Sequence, residues 1–503
     1  MFSWRAVVVL PVVALLLPAP ARAQATNAYY EFLRALQLEQ DGDARGAQAA
    51  FERAVAADPT SAEVRAELAA FHMRQHDADT AEKVAREALE RNAANVEAHR
   101  VLGMIFAARA ESAAENEQEA KAPEFARTAI EHLEKVAATP GGATDVTVQY
   151  NLGRLYLRSG DNDRAIERLS RVVEQNPYSV QARLSLAQAY GAADRHEEAA
   201  AVLEEIVDDE PRLASTLAQF YERAGKTDEA KRAYARALAA NPRDLRALLA
   251  LSRQYSENGE YDRAIDTLTK AQALVPQDAG VAAFLAQTFL QAKKYQEASA
   301  FAAAAQKRFP DDMRFTRLHA RALFDTGNPS AALALMESAV RTNPQDSGVY
   351  LSMADLYADA GRPEEALKTL DTAVKRFPKE ADVLNYLGYM LADRGQRLEE
   401  SVRLITRALE IDPDNPSYLD SLGWAYFKRG DLVQAETYLA KAAEGLPRNS
   451  VVQDHYGDLL AKRGRHADAV AAWTKALQGD GEDVNKDAID KKIKSAQSKL
   501  QDE

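Results

Sequence analysis

The sequence predicts an all-α protein in which one helix-turn-helix unit is repeated about thirteen times and a capping helix follows at the C-terminus. Three observations support this prediction. Prolines recur every 34 residues along one stretch, at Pro242, Pro276, Pro310, Pro344 and Pro378. When each unit is numbered so that this proline is position 32, Ala occupies position 20 in twelve of thirteen units, and Gly occupies position 15 in nine. Self-similarity at such a period indicates stacked supersecondary units rather than independent domains.

The units begin at residues 28, 62, 96, 146, 180, 211, 245, 279, 313, 347, 381, 416 and 450, with about fourteen extra residues in the third and one in the eleventh. We expect position 20 to lie where helix B, the second helix of a unit, crosses helix A, the first, because a small side chain lets two backbones approach closely. Larger apolar groups at positions 7, 11 and 24 fill the remaining space, as Leu152, Tyr156 and Leu169 do in unit 4. Gly at position 15 suits the left-handed conformation that ends helix A. No unit can bury its apolar face alone, so the 503 residues, which by length suggest three domains, are predicted to form one array.

The clearest unit spans residues 416–449 and combines a Leu-Gly pair near its start, small residues in its middle and a proline near its end. Its characteristic residues are Leu422, Gly423, Tyr426, Ala435, Leu439, Ala442 and Pro447. In this pattern the sequence resembles the tetratricopeptide repeat (TPR) family across about residues 28–481. The resemblance implies a right-handed superhelical solenoid whose A helices line a concave groove.

The N-terminal segment, residues 1–23, has the features of a secretory signal. Arg5 precedes an apolar run from residue 6 to residue 17, and Ala21-Arg22-Ala23 supplies a small-x-small cleavage site. Cleavage is expected after Ala23, with Ala25 as a second option. The run is shorter than the roughly 20 residues that a membrane span requires. Because the chain has no cysteine, lipidation is not expected, and the mature protein is predicted to be exported to a bacterial periplasm.

The mature chain is predicted to contain two sub-arrays. Units 1–5 form an N-terminal array over residues 24–210, and units 6–13 form a C-terminal array over residues 211–481. The boundary is placed at Pro211, because three acidic residues run directly into this proline and unit 6 begins 31 residues after unit 5.

Two further segments depart from the repeat. Residues 110–123 form an insertion in unit 3 that is rich in Ala and Glu, for which a helix extension projecting into solvent is favoured over a docking element. Residues 482–503 are predicted to form a capping helix, because Ile489, Ile493, Ala496 and Leu500 fall at helical spacing.

Composition and motifs argue against several function classes. The chain carries 63 Lys and Arg against 76 Asp and Glu, a formal net charge of −13, so nucleic-acid binding is not expected. His72 and His76 lack the further ligands of a zinc site, and His455, between Asp454 and Asp458, is interpreted as part of a solvated helix face. The sequence contains no phosphate-binding loop, nucleophile elbow or dinucleotide fingerprint. We therefore expect no catalytic residue, metal or cofactor, and no enzymatic activity.

Candidate binding residues come from positions 2, 5, 9 and 12 of the A helices, which line the groove in the family. Arginine and aromatic side chains there suit the anchoring of an extended peptide. The candidates are Arg314, Arg317, Arg321, Asn385, Tyr389, Asp420, Trp424 and Phe427. Packing of Trp424 and Phe427 on neighbouring helices is an equally weighted alternative.

The last third of the chain carries a second resemblance. The stretches "LNYLGYMLADRGQRLEESVRLITRALEIDPDNPSYLDSLGWAYFKRG" and "DHYGDLLAKRGRHADAVAAWTKAL" are similar to exported bacterial repeat proteins, one group of which scaffolds a carboxyl-terminal processing protease. Those scaffolds are typically lipoproteins, whereas this chain lacks the cysteine. The resemblance implies a non-catalytic scaffold or adaptor of the cell envelope that binds protein partners, for a periplasmic protease or an envelope-assembly complex. The alternative is a carbohydrate- or polymer-handling component of an exopolysaccharide or envelope biogenesis system, in which Tyr389 and Trp424 would stack on sugars.

Overall fold

A computed structural model describes residues 19–115, 119–479 and 484–502, and over these residues the secondary structure is entirely helical. The chain divides into two compact halves, residues up to Leu251 and residues from Ser252 onward. Thirteen helix pairs follow one another along the described residues, as the period of the sequence predicts.

The pairs of the first six units, each written as helix A and then helix B, have the following bounds. They are Ala19–Gln40 and Ala44–Ala57, Ala62–Arg74 and Ala78–Arg91, Val96–Glu115 and Ala122–Ala137, Val146–Ser159 and Asn162–Gln175, Val180–Ala192 and His196–Glu204, and Ala214–Arg223 and Thr227–Ala240. A short helix, Pro140–Ala143, follows unit 3, and a 3₁₀ turn, Pro211–Leu213, opens unit 6.

The remaining seven pairs are more regular. They are Leu245–Glu257 and Tyr261–Leu274, Ala279–Gln291 and Tyr295–Arg308, Met313–Asp325 and Pro329–Thr342, Ser347–Asp359 and Pro363–Arg376, Ala381–Asp393 and Leu398–Ile411, Pro416–Arg429 and Leu432–Gly445, and Ser450–Lys462 and His466–Gln478. The final helix is Lys486–Asp502.

The turn between helices A and B is set by a left-handed residue at position 15. All nine glycines predicted there have positive φ, between 64° and 90°. In units 2, 5 and 8 the same position holds His76, Asp194 and Lys293, which also take positive φ although their β-carbons disfavour it. Outside unit 3, where the insertion falls at this turn, the left-handed turn is therefore a property of the unit and is kept where glycine is absent.

The prolines delimit the helices without interrupting them. In unit 6, helix B ends at Ala240, its C-cap is Asn241, and Pro242 follows at position 32. Five prolines outside this position lie in the first turn of a helix, where a missing N–H removes no intrahelical bond. They are Pro123, Pro140, Pro329, Pro363 and Pro416.

Helices A and B are in close contact at position 20 in every unit and also at position 8 in the five units that have glycine there. Every residue at position 20 is at most 1% exposed, from Ala47 in unit 1 to Ala469 in unit 13. Glycine at position 8 brings helix A against the bulky residue at position 24, so a β-carbon added at Gly153 would lie 2.5 Å from Leu169 Cγ. The close crossing expected at position 20 is confirmed, and position 8 is its counterpart on helix A.

The insertion in unit 3 lengthens helix A to Glu115, and residues 116–118 lie outside the described residues. Projection into solvent, the favoured expectation, is wrong for the described part, because Ala110 and Ala113 are buried. Helix A of unit 4 holds the extension through Arg158, which donates to the Ala110 carbonyl at 2.6 Å, and through an ion pair of Arg154 with Glu111 at 2.5 Å. The inserted residues enlarge a contact between neighbouring units.

Helical regularity is interrupted between units 5 and 6. Helix B of unit 5 ends at Glu204, and the 3₁₀ turn at Pro211 leads directly into helix A of unit 6. The two compact halves, in contrast, divide after Leu251, so the sub-array boundary at residue 211 stays a prediction.

The predicted signal segment falls mostly on residues 1–18, outside the described residues, and the expected cleavage site after Ala23 lies in the first described helix. Along the described residues, no helix combines the length and the apolar content needed to cross a bilayer.

Candidate functional site

An open groove of about 950 Å³ runs along the A helices of units 8–11 in the C-terminal half. In unit 8 all four positions that line the groove in the family (2, 5, 9 and 12, hereafter the position rule) belong to its lining, as Gly280, Ala283, Gln287 and Leu290, and Phe284 at position 6 lines it as well. The other lining residues are Phe284, Arg314, Arg317, Leu318, Arg321, Ser352, Asp355, Leu356, Ala358, Asp359 and Tyr386. This groove, hereafter the unit 8–11 groove, contains the three arginines that the sequence singled out.

The three arginines form one wall of the groove, and each is paired with a carboxylate. Arg314 pairs with Asp312 at 2.6 Å, and Arg317 reaches Asp346, the N-cap residue just before helix A of unit 10, at 3.2 Å. A β-carbon at Gly348 would collide with the Arg317 guanidinium, so this glycine makes room for the pair.

Arg321 bridges the helix A carboxylates of two units. It pairs with Asp325 at 3.0 Å on its own helix and with Asp359 of unit 10. The three predicted arginines are thus charge-compensated, and Arg317 and Arg321 are held in place by carboxylates further along the chain.

The neighbouring A helix, in unit 10, carries an acid that is not among the candidates predicted from the sequence. Asp355, on helix A of unit 10, is exposed to the groove, and its Oδ1 accepts a hydrogen bond from the Tyr386 hydroxyl of unit 11. The surrounding protein raises the pKa of Asp355, and nearby Asp359 raises it further, while the Tyr386 hydrogen bond and Arg321 lower it. Desolvation and the Asp355 carboxylate together raise the pKa of Tyr386.

Asp355 occupies position 9 of its unit, so the position rule applied to unit 10 would have found it, whereas Tyr386 at position 6 lies outside the rule.

The other predicted residues, apart from Asn385, gather around His455 and away from the groove lining. The Trp424 ring stacks on His455, with centroids 4.0 Å apart, and on Phe427 at 5.0 Å. Tyr389 lies 6.4 Å from the same imidazole, and Asp420 accepts from its Nδ1 at 3.0 Å. Trp424 is 7% exposed and Phe427 is partly buried against the core, so both rings are placed as the packing alternative describes.

The interpretation of His455 as part of a solvated helix face is wrong. The residue is 7% exposed and forms an ion pair with Asp420, which is itself buried. Burial alone would lower the pKa of His455, but the carboxylates of Asp420, Asp454 and Asp458 outweigh it and raise the pKa. The sequence gives the acids on the same helix, whereas Asp420 is 35 residues away and reaches His455 only through stacking of units.

Asn385 is half-buried on helix A of unit 11, and its side-chain oxygen is buried without a hydrogen-bond partner among the described residues. Over the same part of the chain, no three His, Asp or Glu side chains are grouped so that they could hold a metal ion.

Comparison with known proteins returns one repeat family. A model described as tetratricopeptide repeat matches residues 38–105, 255–322 and 323–387, and a second model with the same description matches residues 150–214 and 216–279. Together these ranges cover more than half of the chain.

Individual relatives match over short stretches. A TPR repeat-containing protein of Pseudomonas aeruginosa is 38% identical over 65 residues, which is 13% of this chain and 11% of that protein. One of Methanocaldococcus jannaschii is 29% identical over 83 residues, 16% of this chain and 14% of that protein. Among solved structures, yeast Tom70 is similar over 79% of this chain and 96% of its own, at 14% identity and a TM-score of 0.44.

Proposed function

We propose, from the premise that this chain belongs to the tetratricopeptide repeat family, that it is a non-catalytic scaffold or adaptor that holds an extended segment of a partner protein in the unit 8–11 groove. The observation that carries the proposal is the lining of the groove. Half-buried Phe284, Leu290 and Leu318 offer apolar contact there, and ion pairs hold the arginines of one wall in place. Such a mixture suits a peptide with alternating apolar and polar side chains.

Recognition in this groove would depend on side chains. The walls are helices whose backbone groups are already hydrogen-bonded, so they offer no free strand edge to a peptide. Gln287 and Ser352 line the groove and can hydrogen-bond a peptide backbone.

We further propose that the protein works in the bacterial cell envelope, exported by the signal in residues 1–23, as an adaptor for a periplasmic protease or an envelope-assembly complex. The similarity of residues 384–477 to exported repeat scaffolds supports this context. The carbohydrate alternative relies on stacking by Tyr389 and Trp424. Trp424 is buried against His455 and Phe427, and its placement favours the protein-partner proposal.

Site-specific photocrosslinking tests the function. A photoreactive amino acid is placed at Ser352 in the full-length protein, which is expressed in its own cells, and it should capture a partner protein in the groove. If the signal is cleaved after Ala23, the chain in the adduct should begin at Gln24. Gln287→Trp, which fills the groove from an exposed position, should reduce the adduct about tenfold or more. Gln291→Trp, one turn further on the same helix and also exposed, should leave it unchanged. Equal adduct yields from the two tryptophan variants would contradict binding in the groove.

A further inference from the structure

The charges of the unit 8–11 groove are balanced except at one carboxylate. Arg317 is engaged by Asp346, and Arg321 is engaged by Asp325 and Asp359. Within the described residues, no Lys or Arg side chain forms an ion pair with Asp355. Arg321 lies near enough to lower the pKa of Asp355 but is already paired with two other carboxylates, so Asp355 remains complementary to a cation brought by a ligand.

The hydrogen bonding of Asp355 restricts which cation fits. Its Oδ1 already accepts the Tyr386 hydroxyl on one of its two lone pairs, so Oδ2 is the less engaged oxygen for a ligand. A guanidinium pairs best with both oxygens of a carboxylate at once, whereas an ammonium is a compact charge that needs only one.

The surroundings of Asp355 suit the rest of a lysine side chain. Leu318 and Leu356 line the same groove, and Leu318 is only partly buried. The methylene groups of a lysine can cover such apolar surface while the ammonium reaches a charged group.

We propose that the partner segment carries a lysine whose ammonium group pairs with Asp355, and that Tyr386, by occupying Oδ1, selects lysine over arginine. This inference rests on the proposed function, because it names the chemistry of the segment that the groove would hold. Tyr386 acts here as a positioning residue, since it sets the hydrogen-bonding capacity of Asp355.

Binding of defined peptide pools to the purified full-length protein tests the proposal. Four pools of heptapeptides share randomised flanks and differ in a central lysine, arginine, norleucine or glutamate. The wild-type protein should retain the lysine pool roughly tenfold better than the norleucine pool, and better than the arginine pool. Asp355→Asn should abolish the lysine preference. Glu410→Gln removes the same charge from an exposed position on helix B of unit 11 and should preserve the preference.

A second variant separates the anchor from a general effect of charge. Tyr386→Phe frees Oδ1 of Asp355, so retention of the arginine pool should rise toward that of the lysine pool. Equal retention of all four pools, with loss of all four in Gln287→Trp, would overturn the lysine anchor and leave the groove function standing. If the wild-type protein retained every pool only as weakly as the Gln287→Trp variant does, the result would count against both proposals.

Discussion

At the scale of single residues, His99 and His132 form a buried pair inside unit 3, with their Nδ1 atoms 2.7 Å apart. The Nε2 atom of His99 lies 3.0 Å from the Ala93 carbonyl oxygen, which can only accept, so this nitrogen carries a hydrogen. Nδ1 of His99 therefore accepts from Nδ1–H of His132, and both rings are neutral. A proton added to His99 would place two N–H groups against each other.

This pair makes folding sensitive to mild acid. Burial, with the neighbouring His99, lowers the pKa of His132 to about 4, and burial also lowers the pKa of His99. In the unfolded chain the pKa of both histidines is about 6.5. As pH falls from about 6.5 to about 4, the unfolded chain binds protons that the folded chain excludes, so the free energy of unfolding falls, by about 3 kcal/mol for His132.

Urea unfolding at a series of pH values measures the effect. His132→Asn places an amide donor where Nδ1 lay and should flatten the pH dependence between pH 4 and 6.5. His76→Asn, at an exposed turn position, should keep the wild-type slope. Parallel slopes for the wild type and His132→Asn would refute the assignment.

At the scale of elements, the C-terminal helix Lys486–Asp502 covers unit 13 with an apolar face and one ionic contact. Ile489 and Ala496 are buried against the core around Trp473. Lys492 places its Nζ 2.8 Å from Asp454 and 2.7 Å from Asp458, and without this cation the two carboxylates would repel each other.

Removal of this charge should loosen the capping helix. Lys492→Met keeps the aliphatic stem and is expected to cost about 1–2 kcal/mol, because two partly buried acids lose their counter-charge. Hydrogen exchange of residues 486–502 should accelerate roughly tenfold, whereas Lys494→Met, exposed on the same helix, should have little effect. Unchanged protection in Lys492→Met would show that the apolar face alone holds the helix.

At the scale of the whole molecule, one helix crossing is repeated in all thirteen units. The residue at position 20 is fully or almost fully buried in each unit, and where Ala is replaced by Ser401 the hydroxyl donates to the Gly388 carbonyl at 2.6 Å. The repeated crossing implies that equivalent substitutions cost similar free energies wherever they are made.

Overpacking of this crossing in either half tests that equivalence. Ala165→Leu and Ala366→Leu introduce the same extra volume at fully buried sites and should each cost about 1–3 kcal/mol. Hydrogen exchange should show the loss in the altered unit and its neighbours. Ala201→Leu, exposed on helix B of unit 5, should change stability by less than about 0.5 kcal/mol. A severe loss at one site and none at the other would contradict a common crossing.

The features predictable from sequence are those fixed inside one unit. The left-handed residue at position 15, the buried residue at position 20 and the prolines depend on backbone geometry that recurs with the period. The partners of Arg317, Arg321 and His455 lie 29, 38 and 35 residues away, and they meet only after neighbouring units have stacked. For the same reason, the 34-residue period predicts that Arg321 lines the groove, but it does not identify Asp359 as the carboxylate that pairs with it.

Within each compact half, the main helix contacts of the described residues lie inside a unit or between adjacent units, and this has a kinetic consequence. Contacts between residues close in sequence give a low contact order, and chains of this type pay little loop-closure entropy before native contacts form. Folding can nucleate at several units and propagate to their neighbours. The first units of an emerging chain can therefore begin to fold, one helix pair at a time, before the last units have emerged beside them.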